Sequence, residues 1–402
     1  MTSAHISKRQ SIDPTTEAVF TKSFPKPENT VKFSSYADDL SPFLAMDVME
    51  RGMALQNAGK SIVQLGVGEP NFDPPEEVVE ATHQALREKM THYTDSRGLI
   101  ELREAICEDS LRRRGKEVSP EQVIVTSGTS PGISMVLHLL LSPGDELIIP
   151  TPHYACYPNM VKLCGANPVL IETSPEDGYR LDIEKVKAAI NPKTRGILIA
   201  SPANPTGAVQ PPEVMQALAN LDIPILSDEI YDGLIFDGVT NTSPAQFTDN
   251  IFIFDGFSKR YAMTGFRLGY LIAPSHAMRP LQTMQQNLHI SSAHFPQVGA
   301  IAALRHGHHH LEMMRQKYDQ RRQILLKGLR KMGMRIPVDP VGAFYILADP
   351  GFGQISSLEL AFKILDEAAV AVGPGRDFGE IAEGKLRFSY AASETDIEEG
   401  IQ

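Results

Sequence analysis

Seven short runs of β-branched and aliphatic residues punctuate the middle of the chain: QVIVTSG, DELIIP, NPVLIET, RGILIASPAN, IPILSDE, NIFIFDG and RLGYLIA. Each is continuously apolar rather than alternating, the pattern of strands buried on both faces. Helix-like segments separate most of them. This alternation predicts an α/β fold built on a mostly parallel, seven-stranded sheet with right-handed crossovers. Ligands of such sheets sit beyond the carboxyl ends of the strands. Polar, glycine-containing clusters follow nearly every run, which puts TSGTS, SPANPTG, SDEIY and GFSK along one rim.

The flanks read differently. Residues 1 to 35 are polar and without periodicity, and are expected to form a flexible arm. SPFLAMDVMERGMALQNAG has a helical pattern, SIVQLGVGEPNFDPP a strand and a Gly/Pro-rich loop, and PEEVVEATHQALREKM another helix. From about residue 276 the pattern is helical, including the long LEMMRQKYDQRRQILLKGLRKMG. A smaller α+β portion closes the chain, with VGAFYILA, SSLELAFKILDEA and KLRFSYA.

Composition narrows the class of partner. The chain has 402 residues, 42% hydrophobic and 22% charged, with a formal net charge of −11. No Lys/Arg stripe is present, which argues against nucleic acid or an anionic membrane. LRRRG is expected to be the solvated end of a helix. Three cysteines without metal-like spacing point to free thiols in a reducing compartment. No apolar stretch reaches membrane-spanning length, and MTSAHISKRQSIDPTTE has no signal-peptide core. A cytoplasmic protein is expected. In RHGHHHL only His306 and His310 share a helical face, with no acidic or thiol partner, so no metal site is expected.

Two nucleotide motifs fail. GVGEPN lacks the third glycine of a dinucleotide fingerprint, the position being Asn71. AGKS at 58–61 has Ala54 where a phosphate loop needs its first glycine, and reads as a helix end.

The rim clusters carry a different chemistry. Lys259 follows the buried run IFIF and is flanked by Phe257, Ser258, Tyr261 and Met263. Most lysines are solvated charges, but a buried amine is pushed towards its neutral, nucleophilic form and can join a carbonyl as a Schiff base. Arg267 keeps its charge and offers a planar fork to phosphate. An amine for an aldehyde and a guanidinium for a phosphate together suit pyridoxal 5′-phosphate. The ring nitrogen of that cofactor needs an anion, since the protonated ring is its electron sink. Asp228, directly after IPILS, sits where that carboxylate should be, although an isolated Asp there is more often a helix cap. Asn204 and Tyr231 can reach the phenolic oxygen from adjacent strand ends, although NPTG alone would be only a β-turn. TSGTSPG after VIV offers unpaired backbone N–H groups for phosphate, with Gly128 for close approach and Thr129 and Ser130 as further donors. Tyr154, in PHYACYP, can stack on the ring face, against the commoner reading of plain packing.

With these residues assembled, the chain resembles the class I/II (fold type I) aminotransferases, in the branch of bacterial aspartate and aromatic aminotransferases. GFSKRYAMTGFRLG fits that family's lysine signature. GEPNFDPP, HYTDSRGLIELREAI, SPANPTG, SDEIYDGLIF, VGAFYIL and LRFSYA recur in the family's order, over about nine tenths of the chain. The resemblance implies a fold type I transferase. Its large domain would span residues 71–300, and its small α+β domain would be built from 36–70 and 301–402. It implies that Lys259 binds the cofactor covalently and later shuttles a proton, and that Asp228 pairs with the ring nitrogen. Tyr231 and Asn204 would bond the phenolic oxygen. Ser258, Arg267, Gly128, Thr129 and Ser130 would hold the phosphate. Arg387 and Gly68, with Asn204, would take the substrate carboxylate, and Tyr93 would reach the phosphate of a neighbouring subunit, so that a homodimer shares its sites. Two positions depart from the pattern. Ser130 stands where some bacterial aspartate aminotransferases have a lysine for the distal carboxylate of acidic substrates, which disfavours aspartate. Tyr154 stands where many relatives have a stacking Trp.

The implied reaction moves an α-amino group between an L-amino acid and a 2-oxo acid by a ping-pong course, with 2-oxoglutarate and glutamate as one pair. A lyase or cyclase of the β-elimination type is the alternative on the same scaffold, since it would share every residue named. A transcription regulator using this domain as a sensor would need a DNA-binding module, for which residues 1 to 35 are too few and too unstructured.

Overall fold

The computed structural model describes residues 34–402. The expected arm therefore lies almost wholly outside the described residues. Ser34–Asp39 contains one short helix, Ser35–Asp38, whose first turn is capped by the Ser34 hydroxyl. Leu40–Gln402 is one compact unit.

The described residues form twelve strands: β1 Val63–Gln64, β2 Val123–Thr126, β3 Glu146–Thr151, β4 Asn167–Glu172, β5 Thr194–Ala200, β6 Ile225–Asp228, β7 Ile251–Gly256, β8 Gly269–Ile272, β9 Tyr345–Ala348, β10 Val370–Ala371, β11 Gly373–Pro374 and β12 Leu386–Ser389. The seven apolar runs become β2 to β8, and they make one sheet in the order β2-β8-β7-β6-β5-β3-β4. All neighbours are parallel except those of β8, which runs against both β2 and β7. The reason is local. Phe257–Leu268, between β7 and β8, holds only a 3-10 turn, Thr264–Phe266, and no crossover helix. A parallel return needs a longer crossover, so the chain comes back antiparallel.

The strands sort their side chains by twos across this sheet. Val123, Val125, Ile253 and Ile272 enter one apolar cluster, while Ile124, Phe252, Phe254 and Leu271 enter another. Both faces are therefore packed, as the uninterrupted apolar runs require. β4, at the edge, is only half-buried.

The ends of the chain meet in two smaller sheets. β1 pairs in parallel with β10, and β11-β12-β9 form an antiparallel triplet. Helices Leu44–Asn57, His308–Lys331 and Ser357–Ala368 follow the periodic segments read from the sequence. Ser356 caps the last of these by accepting the Glu359 backbone N–H.

LRRRG departs from its expectation. Helix Ile100–Arg114 does end at Gly115, which takes a left-handed conformation. Only Arg112 of the three arginines is solvated, however. Arg114 is buried, and its guanidinium bonds Glu229 and Asp255; Arg113 bonds Asp109, Asp232 and Asp255. Arg260 joins them through Asp109. Arginine suits this position because its planar fork satisfies several carboxylates at once. The cluster lies directly behind the turn that carries Lys259 and fixes Asp255, near the end of β7.

Candidate active site

The carboxyl ends of β2, β5, β6 and β7, with the start of β8, open into a cavity of about 330 Å³. Among its walls are Gly68, Gly128, Thr129, Ser130, Tyr154, Asn204, Asp228, Tyr231, Ser258, Lys259, Arg267 and Arg387. The structure thus brings together every residue singled out from the sequence except Tyr93. Tyr93 lies outside the cavity and is 79% exposed.

Lys259 projects from the turn after β7, and its Nζ donates to the Gly68 carbonyl at 2.7 Å. Burial lowers its pKa to about 8, helped by the cations Arg267 and Arg387; Glu69 pulls the other way without restoring it. Glu69 is itself held by the Thr264 hydroxyl at 2.6 Å.

Asp228 ends β6, where the strand delivers its carboxylate to the rim. Burial raises its pKa to about 6, although Tyr157 Oη donates at 2.6 Å and the Ile230 N–H at 3.2 Å, both favouring the anion. A cation beside this carboxylate would offset the remaining penalty of burial.

Helix Thr129–Leu140 points its N-terminus at the same space, with Gly128 as its N-cap at φ +105°. A Cβ on Gly128 would stand 2.8 Å from Arg267 Nη2. Only glycine lets the backbone lie this close to the guanidinium. Arg267, at φ +52°, is exposed to the cavity and donates one N–H to the Thr264 carbonyl. Backbone donors, a helix N-terminus and a guanidinium converge there, a donor set suited to a phosphate.

Arg387, on β12, faces them from the other side and is 3% exposed. Its Nη1 donates to Asn204 Oδ1 at 3.0 Å and its Nη2 to the Gly66 carbonyl at 2.6 Å, while Nε has no partner. The guanidinium lies between the rings of Tyr345 and Phe378, at 4.4 and 4.6 Å from their centroids. Tyr231 Oη is 2.8 Å from Tyr345 Oη. Tyr154 packs edge-on to Phe43 and Tyr157. Phe43, Met46 and Val67 give the rest of the wall an apolar character.

Among the contributors that escaped the sequence reading are Tyr157, Tyr345 and Phe378. Tyr157 lies within PHYACYP, three residues after Tyr154, and that spacing is a usable signal. Tyr345 sits inside VGAFYIL, where nothing about the residue itself marks it out.

Residues 60–402 match the family described as aminotransferase class I and II. The aspartate/prephenate aminotransferase of Thermus thermophilus is 37% identical over 371 residues, covering 90% of this chain and 95% of that protein. Aromatic-amino-acid aminotransferase 2 of Thermococcus litoralis is 37% identical over 353 residues, covering 85% and 90%. The solved structure of the Thermus thermophilus aspartate aminotransferase with maleate superposes at a TM-score of 0.88, with 36% identity over 92% of this chain and 98% of that one.

Proposed function

Because the chain belongs to the class I and II aminotransferases, and is therefore a pyridoxal-phosphate-dependent aminotransferase, we propose that Lys259 is the residue on which its reaction turns. The observation that carries this is the Lys259 amine itself, facing the cavity with its pKa lowered to about 8 and lying close to Arg267, Arg387 and Asp228.

The residues present fit the cofactor. The cavity offers an amine for the aldehyde, the Asp228 carboxylate for the ring nitrogen, and the helix N-terminus at Gly128 with Arg267 for the phosphate. When bound, pyridoxal 5′-phosphate supplies the aldehyde that takes up the amino group and the cationic ring that draws off the electrons freed at the α-carbon. Lys259 Nζ takes the proton from the substrate α-carbon and returns it two atoms away, beyond the amino nitrogen, a task for which a pKa near neutrality is apt. Asp228 stays ionised against the ring N–H, and Tyr157 Oη holds it in place. Tyr231 and Asn204 donate to the phenolic oxygen. Thr129, Ser130 and Ser258 add donors for the phosphate, and Tyr154 covers the ring face. Arg387, whose two Nη atoms each keep an N–H beyond the bonds to Asn204 and Gly66, receives the substrate α-carboxylate, and the Gly68 backbone borders it.

Among the described residues, the cations lining the cavity are Lys259, Arg267 and Arg387. With Ser130 at the rim, none is left for a distal carboxylate one methylene from the α-carbon, so aspartate is a poor substrate and amino acids with apolar or aromatic side chains fit the Phe43, Met46 and Val67 wall better. For glutamate and 2-oxoglutarate to serve as the other pair, their distal carboxylate takes its cation from outside this cavity, from the second subunit. The exposed Tyr93 is given to the phosphate of a second subunit in a homodimer, and the compartment is the cytoplasm; no described helix is long and apolar enough to cross a membrane. The unit divides near residues 70 and 300 into a large and a small domain, a reading supported by the pairing of β1 with β10.

Borohydride reduction of the loaded enzyme followed by peptide mapping tests the central assignment. The expected tag is on Lys259. A tag on any other side chain refutes it.

A further inference from the structure

Tyr345, at the start of β9, touches three parts of the site at once. Its ring lies against one face of the Arg387 guanidinium, with Phe378 on the other. Its hydroxyl is 2.8 Å from that of Tyr231. It also occupies the space that a side chain at position 68 would need, since a Cβ on Gly68 would overlap Tyr345 Oη. The Gly68 carbonyl in turn holds Lys259.

Each of the two phenols has a single proton. Each hydroxyl has the other as its partner and both border the cavity, so the contact alone allows either donor; but a Tyr231 proton given to the cofactor's phenolic oxygen leaves Tyr231 able only to accept from Tyr345. If Tyr345 donates, the Tyr231 proton is left free to face the cavity. A hydroxyl that accepts a hydrogen bond is also a better donor. The ring adds a second constraint. A guanidinium between two aromatic faces keeps its plane and can turn only within it.

We propose that Tyr345 is a positioning residue that donates its hydroxyl proton to Tyr231, aiming the Tyr231 hydroxyl at the cofactor's phenolic oxygen, while its ring holds the Arg387 plane ready for the substrate carboxylate. One side chain thus serves the cofactor through its oxygen and the substrate through its face. The inference rests on the proposed placement of Tyr231 at the phenolic oxygen and of Arg387 at the carboxylate.

Two readouts on the holoenzyme separate the two roles: the pH midpoint of its visible absorbance, and calorimetric binding of 3-phenylpropanoate, an unreactive carboxylate. A donor to the phenolic oxygen stabilises its anion most when the neighbouring nitrogen has lost its proton, so losing the donor raises the midpoint. Tyr345→Phe keeps the ring and removes the hydroxyl. It is expected to raise the midpoint by about half a pH unit, less than Tyr231→Phe does, with phenylpropanoate binding within about twofold of the parent. Tyr345→Leu removes both, and is expected to move the midpoint alike and weaken that binding about tenfold. An unmoved midpoint in Tyr345→Phe, where Tyr231→Phe moves it, overturns the inference and leaves the site assignments standing. Parent-like binding in Tyr345→Leu overturns it as well. An unmoved midpoint in Tyr231→Phe overturns the placement of Tyr231, and the inference with it.

Discussion

Replacing Arg387 with lysine removes geometry while keeping charge, and the structure sets the size of the effect. Two of the guanidinium N–H groups are committed to Asn204 Oδ1 and the Gly66 carbonyl, and each Nη keeps one further N–H. A carboxylate docking there takes two parallel, charge-assisted bonds. Hydrogen bonds to charged groups contribute about 1.5–3 kcal/mol each. Lysine supplies a point charge without the fork and without the stack between Tyr345 and Phe378. Losing one such bond and part of the stack comes to about 2–3 kcal/mol, or a fall of roughly 30- to 150-fold in kcat/KM. The assay is a single-turnover half-reaction followed by the cofactor's absorbance. It compares the best amino acid with the amine formed by deleting its carboxylate. The amino acid should lose the whole factor in Arg387→Lys, and the amine should change less than about threefold. Equal losses for both compounds would mean that Arg387 does not meet the carboxylate, and the site would have to be reassigned.

The pH dependence of stability offers a second check, on Lys259 in protein stripped of cofactor. Its pKa is lowered from 10.5 to about 8 by burial, so between these values the folded state binds fewer protons than the unfolded one. Stability rises with pH across that window, and below it the penalty of up to about 3 kcal/mol is fully present. Lys259→Met should therefore be more stable than the parent at pH 7 in urea unfolding, with the gain vanishing by about pH 10.5; a gain independent of pH would contradict the burial argument. Gly128→Ala should push Arg267 aside, because its Cβ would stand 2.8 Å from Nη2 at φ +105°. Strain of about 1–3 kcal/mol at such a position predicts at least roughly tenfold weaker retention of pyridoxal phosphate by equilibrium dialysis, and parent-like retention would remove Gly128 from the phosphate cradle.

Why some of this site could be read from the chain and some could not has a physical answer. Lys259 and Arg267 lie in one turn between β7 and β8, so the spacing that lets them share a ligand is local and visible in GFSKRYAMTGFRLG. Asp228 and Asn204 each close an apolar run, and a strand buried on both faces can only deliver such a residue to its end. The direction of β8 was not visible, because an apolar run has the same composition in either orientation. It is set by the short link that precedes it. Arg113 and Arg114 were misread for a related reason. A run of arginines at a helix end looks solvated until Asp109, Asp232, Asp255 and Glu229 arrive from other elements. Tyr157 and Tyr345 show the limit most sharply. Their partners are 71 and 114 residues away, and each acts on a side chain rather than on the reaction. A phenol in such a role needs no charge, no special backbone and no particular neighbour in sequence. What defines it is the meeting of β9 with the turn after β6, and that meeting exists only once the large sheet and the β11-β12-β9 sheet have been brought together. Residues that do chemistry can thus be read from local pattern, whereas residues that aim them depend on the closure of the fold.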